Sequence, residues 1–356
     1  MNKQKKLITA SQLGSLLIGF SAGPAFLRFS NALVKTAGQD AWISAIIGLV
    51  YPLYVILIAS FIINKHPNDN ILVLSKKYFG RFLGSILNYI FISQFILVSL
   101  TVTSDFVNLT RTYIVPFLSP LKVIIIGISL AAYASFNGLK VLGKVNHLIN
   151  FGYLVVLFSM VALKFGDLSN IQPVFGSGLL NILKANKETA YFYTGWEVIF
   201  LLYPYVKDSK SIKKKGLKAV GLAGIIWVWA VFCTIVYLGI DILPKSYWSY
   251  IFVFESIQIP IINNFRYIFT FVWILIIIRT ISNYYFASIL GINKLINVDI
   301  KKICIYIYPL MLYLALILSD NLLKEKILSF TSPTFTTFNL IFSTSIALLI
   351  SFKPKY

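Results

Sequence analysis

The chain has 356 residues, 58% of them hydrophobic and only 12% charged, with a mean hydropathy of +0.81. That leaves too little polar surface for a soluble globule, so the sequence reads as an all-α integral membrane protein, a single transmembrane domain over 1–356 embedded in a lipid bilayer. The formal net charge of +20 would suggest nucleic acid in a soluble protein, but the basic residues here sit in short loops between apolar runs, where retention of loops on the cytoplasmic side accounts for them, and a nucleic-acid partner is set aside.

Apolar runs of about 20 residues are read as spans, and ten are found: about 8–33, 40–63, 82–107, 121–137, 145–163, 188–206, 217–240, 263–283, 303–319 and 334–352. With the N-terminus in the cytoplasm, the inner segments hold 21 of the 32 Lys and Arg residues. These include Lys3, Lys5, Lys6, the lysine-rich loop at 207–218, Arg279, Lys294, Lys301, Lys302, Lys353 and Lys355, so both termini are expected inside. The first run is too long for a cleavable signal peptide and lacks a small-residue cleavage site, so it is expected to remain as the first helix. Cys233 and Cys304 fall inside spans and read as buried apolar thiols.

The first span contains "LIGFSAGPAF" at 17–26, with Gly19, Ser21, Ala22, Gly23 and Pro24 near its middle. At bilayer depth such an interruption is tolerated only where protein or a water-filled cavity covers the backbone, so it is either a packing device or a binding site. Ten spans divide into two sets of five, about 8–163 and 188–352, and an odd number per half forces inverted topology. The sixth span then corresponds to the first, and its "ETAYFYTGWEVIFLLYP" places Gly195 among Tyr193, Thr194, Trp196 and Glu197. Matching glycine breaks in two inverted halves point to a transporter-type site at the midplane. Unwinding would free N–H groups that favour a carboxylate and C=O groups that can hold an ammonium. Pro24 suits the first position of the second half-helix, since it has no N–H to satisfy.

Glu197 near mid-span marks either a ligand contact or a hydrogen-bonded tie to unwound backbone. Asp105 shares a helical face with Val98 and with Thr101 or Val102, and this close to the interface it reads as a solvated carboxylate, with Arg111 and Arg266 as candidates to pair with it. His66 and His147 have no second ligand at metal spacing and read as loop or interfacial histidines. The absence of nucleotide-loop, nucleophile-elbow and zinc-protease motifs leaves an enzyme reading unsupported and calls for no cofactor. Aromatic residues such as those of "PKSYWSYIFVF" read as an interfacial belt.

The segment "YTGWEVIFLLYPYVKDSKSIKKKGLKAV" resembles the helix 6 to helix 7 region of the amino acid–polyamine–organocation transporter superfamily. "ITASQLGSLLIG" and "GQDAWISAIIG" are closer to one branch of it, the B subunits of bacterial spore germinant receptors, and this resemblance covers nearly the whole chain. It implies the ten-helix, 5+5 inverted-repeat (LeuT-like) fold with broken helices 1 and 6, residence in the spore inner membrane, and A and C receptor subunits as partners. The implied ligand is a small germinant bound by Gly19, Ser21, Ala22, Gly23, Tyr193, Thr194, Gly195 and Glu197, and Thr101, from the Asp105 face, is a further ligand-binding candidate. Permeases usually carry Gly-Ser/Thr-Gly at the first break, where this chain has Ser21-Ala22-Gly23. Asp40 and Trp42 read as an N-cap and an interfacial anchor at the start of helix 2. A germinant-sensing subunit and a secondary active amino acid transporter both fit, as does a structural subunit whose cavity is vestigial. The stretch Leu148 to Leu163 carries no mid-depth Lys or acid where proton-coupled relatives often keep one, which favours sensing. Retention of Glu197, costly at that depth, disfavours a vestigial cavity.

Overall fold

The computed structural model describes residues 7–258 and 264–352, so the expected inner lysines at 3, 5, 6, 353 and 355 lie outside the described residues. In chain order the α-helices are α1 (Ala10–Ser21), α2 (Phe29–Ala37), α3 (Ala41–Gly48), α4 (Val50–Lys65), α5 (Ile71–Phe79), α6 (Arg81–Tyr113), α7 (Pro120–Phe136) and α8 (Leu139–Ile149). They continue with α9 (Ala162–Phe165), α10 (Leu179–Phe192), α11 (Ile199–Leu202), α12 (Ile212–Ile242), α13 (Ser249–Phe252), α14 (Arg266–Ile296), α15 (Ile300–Ile317) and α16 (Asn321–Phe352). Short 3-10 stretches join several of them. Helical segments underlie each apolar run of the sequence, and among the described residues seven are long and apolar enough to cross a membrane, with Pro120–Phe136 a shorter apolar helix beside them.

Local chemistry sets the ends of these helices. Thr9 opens α1 with a reciprocal capping box: its hydroxyl accepts from the Gln12 N–H at 3.2 Å, and the Gln12 side chain accepts from the Thr9 N–H at 3.0 Å. The 33 residues of α6 extend about 50 Å, well beyond a hydrocarbon core of about 30 Å. Large apolar side chains such as Phe82, Ile225 and Tyr306 stand outward, which costs nothing when the solvent is lipid.

Within the bundle, Phe26 locks the second half of the first span in place. Its ring stacks on Trp273 of α14 at 4.7 Å and meets Trp227 of α12 and Tyr250 of α13 edge-on at 5.0 and 5.2 Å. At one end of the bundle the Leu7 N–H donates to Tyr205 O at 2.8 Å and the Lys207 N–H to Ile8 O at 2.9 Å, tying the start of the chain to the lysine-rich segment.

Asp40 does not cap α3. An N-cap needs an extended backbone, whereas Asp40 sits at φ −87°, ψ 9°. Its carboxylate turns instead to the turn before α10, accepting from the Phe175 N–H at 2.7 Å and from the Ser177 N–H and hydroxyl at 2.9 and 2.7 Å. Trp42 stays partly exposed and packs edge-on against Phe232.

Candidate functional site

The first span breaks between Ser21 and Pro24. α1 closes with the Ala22 N–H on Ile18 O at 2.9 Å, and Pro24 opens a 3-10 turn, Pro24–Arg28, that runs into α2. The carbonyls left at the end of α1 are answered from α14 and from the 3-10 stretch Asn150–Val161. Thr280 donates to Gly19 O at 3.1 Å, while Tyr153 and Arg279 donate to Ala22 O at 3.0 and 3.3 Å. Gly19 faces the Asn146–Asn283 amide pair, whose mutual bonds are 2.7 and 2.9 Å, so a Cβ there has no room.

The sixth span breaks at Gly195, where φ is +107°, a conformation that glycine adopts without penalty. Glu197 fills this break from within its own segment. One carboxylate oxygen accepts from the Gly195 N–H at 2.7 Å and the other from the Tyr51 hydroxyl of α4. The two breaks abut: a Cβ on Gly195 would lie 2.9 Å from the Phe20 carbonyl carbon and 2.7 Å from the Tyr284 hydroxyl.

Beside them lies a cavity of about 700 Å³, within the size range of small-molecule sites. Of the residues singled out in the sequence, Ser21, Gly23, Pro24, Val98, Thr101, Asp105 and Thr194 line it. Gly19, Ala22, Tyr193, Gly195 and Glu197 lie behind its wall: Tyr193 is buried and donates to Ala45 O at 3.0 Å, and Glu197 is 2% exposed. Phe20, Val98, Val102, Phe192 and Tyr284 supply apolar wall, and Thr280 adds a hydroxyl.

The mouth of the cavity is built of charges that the sequence does not bring together. Asp105 is not solvated; it is buried against Lys324 of α16 at 2.5 Å, and neither Arg111 nor Arg266 reaches it. Next to it Arg28 pairs with Glu325 at 2.6 Å, and the Tyr247 hydroxyl donates to Glu325 at 2.9 Å while accepting from Arg28 at 3.0 Å and Lys324 at 3.3 Å. Two cations and two anions thus neutralise one another across three elements, the arrangement that makes buried charge tolerable. Arg28 is legible in the sequence as a charge inside an apolar run. Lys324 and Glu325 are not, because the tenth run begins only at about 334 while the helix begins at Asn321.

Arg279 also differs from its expected place. It is not in an inner loop; α14 runs on to Ile296, so Arg279 lies near the middle of a 31-residue helix and is 1% exposed. Away from the membrane-spanning segments, the Ser211 hydroxyl holds the Asp208 carboxyl of the lysine-rich loop below its ordinary pKa. His66 is lowered chiefly by partial burial beside Tyr78, and His147 meets the Ser15 hydroxyl at 3.1 Å.

An all-helical, multi-pass membrane protein with two abutting helix breaks beside a central cavity has the architecture of a transporter-type protein. Two solved structures share this LeuT-like fold. MhsT in complex with L-phenylalanine superposes with a TM-score of 0.65 at 11% identity, over 98% of this chain and 90% of its own. A substrate-bound, outward-open Na⁺-coupled sialic acid symporter gives 0.68 at 12% identity, over 97% and 78%.

The chain belongs to the spore germination protein (spore permease) family, whose sequence profile matches residues 7–322. It is 24% identical to the spore germination protein GerQB of Bacillus cereus over 85% of this chain and 83% of that protein. It is 25% identical to the spore germination protein KB of Bacillus subtilis (strain 168), over 82% and 79%. Family and fold together support a germinant receptor B subunit. The relatives carry the names of germination proteins and the structural neighbours those of transporters, not of enzymes.

Proposed function

We propose that this B subunit binds a small germinant, an amino acid or a similar nutrient, in the cavity at the first helix break and passes the binding event to A and C receptor subunits in the spore inner membrane. The topology that goes with this reading is ten crossings in two inverted repeats, about 8–163 and 188–352, with both termini and the 207–218 loop in the cytoplasm. The observation that carries it is the convergence of Ser21, Gly23, Thr101 and Thr194, from three separate elements, on one cavity of about 700 Å³. A ligand seated there touches both interrupted helices, which puts it where a change in their arrangement alters its contacts, and a sensor requires such a difference in affinity.

The test is a thermal-shift screen of the purified protein against amino acids, inosine and sugars. A shift with at least one compound, lost in Gly23→Leu, is expected; Gly23 has φ −111° and its Cβ position faces Thr280, so leucine fills the cavity without backbone strain. A full panel with no shift, or a shift retained in Gly23→Leu, would overturn the site. The second reading, a secondary active amino acid transporter, is favoured by the shared fold of the symporter. It predicts gradient-driven accumulation of an amino acid in proteoliposomes, whereas the sensor predicts binding without it.

A further inference from the structure

Arg279 is a cation buried at mid-helix, and among the described residues no carboxylate lies within ion-pair distance of it. An unpaired charge there is costly enough that it normally marks function. Its two terminal nitrogens donate to neutral oxygens, Asn150 Oδ1 at 2.8 Å, the Tyr153 hydroxyl at 2.6 Å and the Ala22 carbonyl at 3.3 Å, while its Nε has no partner among the described residues. The Tyr153 ring lies 5.4 Å from the guanidinium carbon, and the Tyr153 hydroxyl donates in turn to Ala22 O. Asn150 and Tyr153 belong to the 3-10 stretch Asn150–Val161, so the helix facing Arg279 is itself irregular at this point.

What the guanidinium touches identifies its partner. The end of a half-helix presents unpaired carbonyls with a partial negative charge of about −0.5. At the end of α1 the Ala22 carbonyl is taken by Arg279 and the Gly19 carbonyl by Thr280, its neighbour in sequence. A break that frees carbonyls in a bilayer attracts a cation, and here one is covalently present. The fold itself is compatible with a co-bound ion, since the sialic acid symporter that shares it is Na⁺-coupled. In this chain the carbonyl end of α1 is held by a cationic side chain.

We propose that Arg279 is the built-in counter-cation of the first helix break, holding Ala22 and Gly23 in their ligand-ready shape so that binding at the cavity needs no co-bound inorganic cation. Arg279 is a positioning residue: it acts through the Ala22 carbonyl and does not line the cavity. The proposal rests on the site above only where it concerns ligand. Its structural part stands alone, and one experiment separates the two.

Full-length wild type and Arg279→Ala are purified and melted in sodium chloride, in choline chloride and with guanidinium added at millimolar concentration. Wild type is expected to melt at the same temperature in sodium and choline and to gain nothing from guanidinium. Arg279→Ala is expected to melt several degrees lower and to recover part of that loss with guanidinium, which restores charge-assisted hydrogen bonds to the freed oxygens. Stabilisation of wild type by sodium over choline, or an Arg279→Ala protein that melts like wild type or ignores guanidinium, would overturn the proposal. If Arg279→Ala does not fold, the sodium-against-choline comparison on wild type and a melt of Arg279→Lys, expected to fold and to melt below wild type, still decide it; an Arg279→Lys protein that melts like wild type would overturn the proposal. None of these readouts uses a germinant, so a failed ligand screen leaves them intact. For any amino acid in the panel that gives a shift, the half-saturating concentration in sodium and in choline should agree within about twofold, and a larger difference also counts against it.

Discussion

The two helix breaks abut and differ in how they are held. The first is held from outside: its carbonyls are answered by Thr280, Arg279 and Tyr153, and its other side opens on the cavity through Ser21 and Gly23. The second is held from inside, by a carboxylate two residues along, and only Thr194 reaches the cavity. A break satisfied by its own side chain is a rigid reference, whereas one satisfied by other helices can shift as those helices shift. On the proposed function, the first break is the one expected to respond to ligand and the second the wall against which it would move.

The hardest way to break that comparison is Gly195→Ala. Alanine at φ +107° is strained, and its Cβ would press on the Phe20 backbone at 2.9 Å, which is not a flexible side-chain end that could move aside. A loss of about 3 kcal/mol or more is expected, read as a large fall in melting temperature or in folded yield after detergent extraction. A Gly195→Ala protein that melts within a degree or two of wild type would show that the second break is not rigid.

Glu197 sharpens the same contrast at a smaller scale. Glu197→Leu leaves the Gly195 N–H and the Tyr51 hydroxyl without acceptors in a site closed to water, at about 1–3 kcal/mol per orphaned group. Glu197→Gln retains one carbonyl oxygen and should cost less. Because the carboxylate lies behind the cavity wall, whatever protein folds in either variant should bind ligand with unchanged affinity, measured by titration of the folded fraction. A selective loss of affinity with normal stability would move Glu197 into the site.

Much of the helical scaffold was readable because hydropathy and glycine placement are local signals: the "SAGP" and "YTGWE" elements identified both breaks and the residues that flank them. What local signals do not carry is direction. Thr101 and Thr194 turn to the cavity, while Tyr193, one residue from Thr194, turns to Ala45 in the core. Nor do they carry partnership across the chain. Asp105 reads as solvated from sequence because its cation, Lys324, is 219 residues away and lies ahead of the tenth apolar run. Arg279 was placed with the inner charges for a related reason: a hydropathy run ends where polar residues begin, and the buried polar face of α14, with Thr280, Ser282 and Asn283, looks from sequence like the end of a span.

The finest distinction between the breaks is a single methyl group. Gly23 has an ordinary negative φ of −111°, and the nearest atom to an added Cβ is the Thr280 methyl at 3.1 Å, a contact tight by only a few tenths of an ångström. Gly23→Ala should therefore cost under about 1 kcal/mol in stability, far less than alanine at Gly195. It should still weaken ligand binding, because the shift needed to relieve the contact is taken up by the first break itself. Thr280→Ser removes the methyl and keeps the hydroxyl that donates to Gly19 O at 3.1 Å. If the first break responds through this packing, the double variant Gly23→Ala/Thr280→Ser should regain most of the lost affinity, and a double-mutant cycle should show a coupling of about 0.5 kcal/mol or more. Additive effects of the two substitutions would mean that Gly23 acts on ligand directly, as cavity wall, and not through the helix that holds the break.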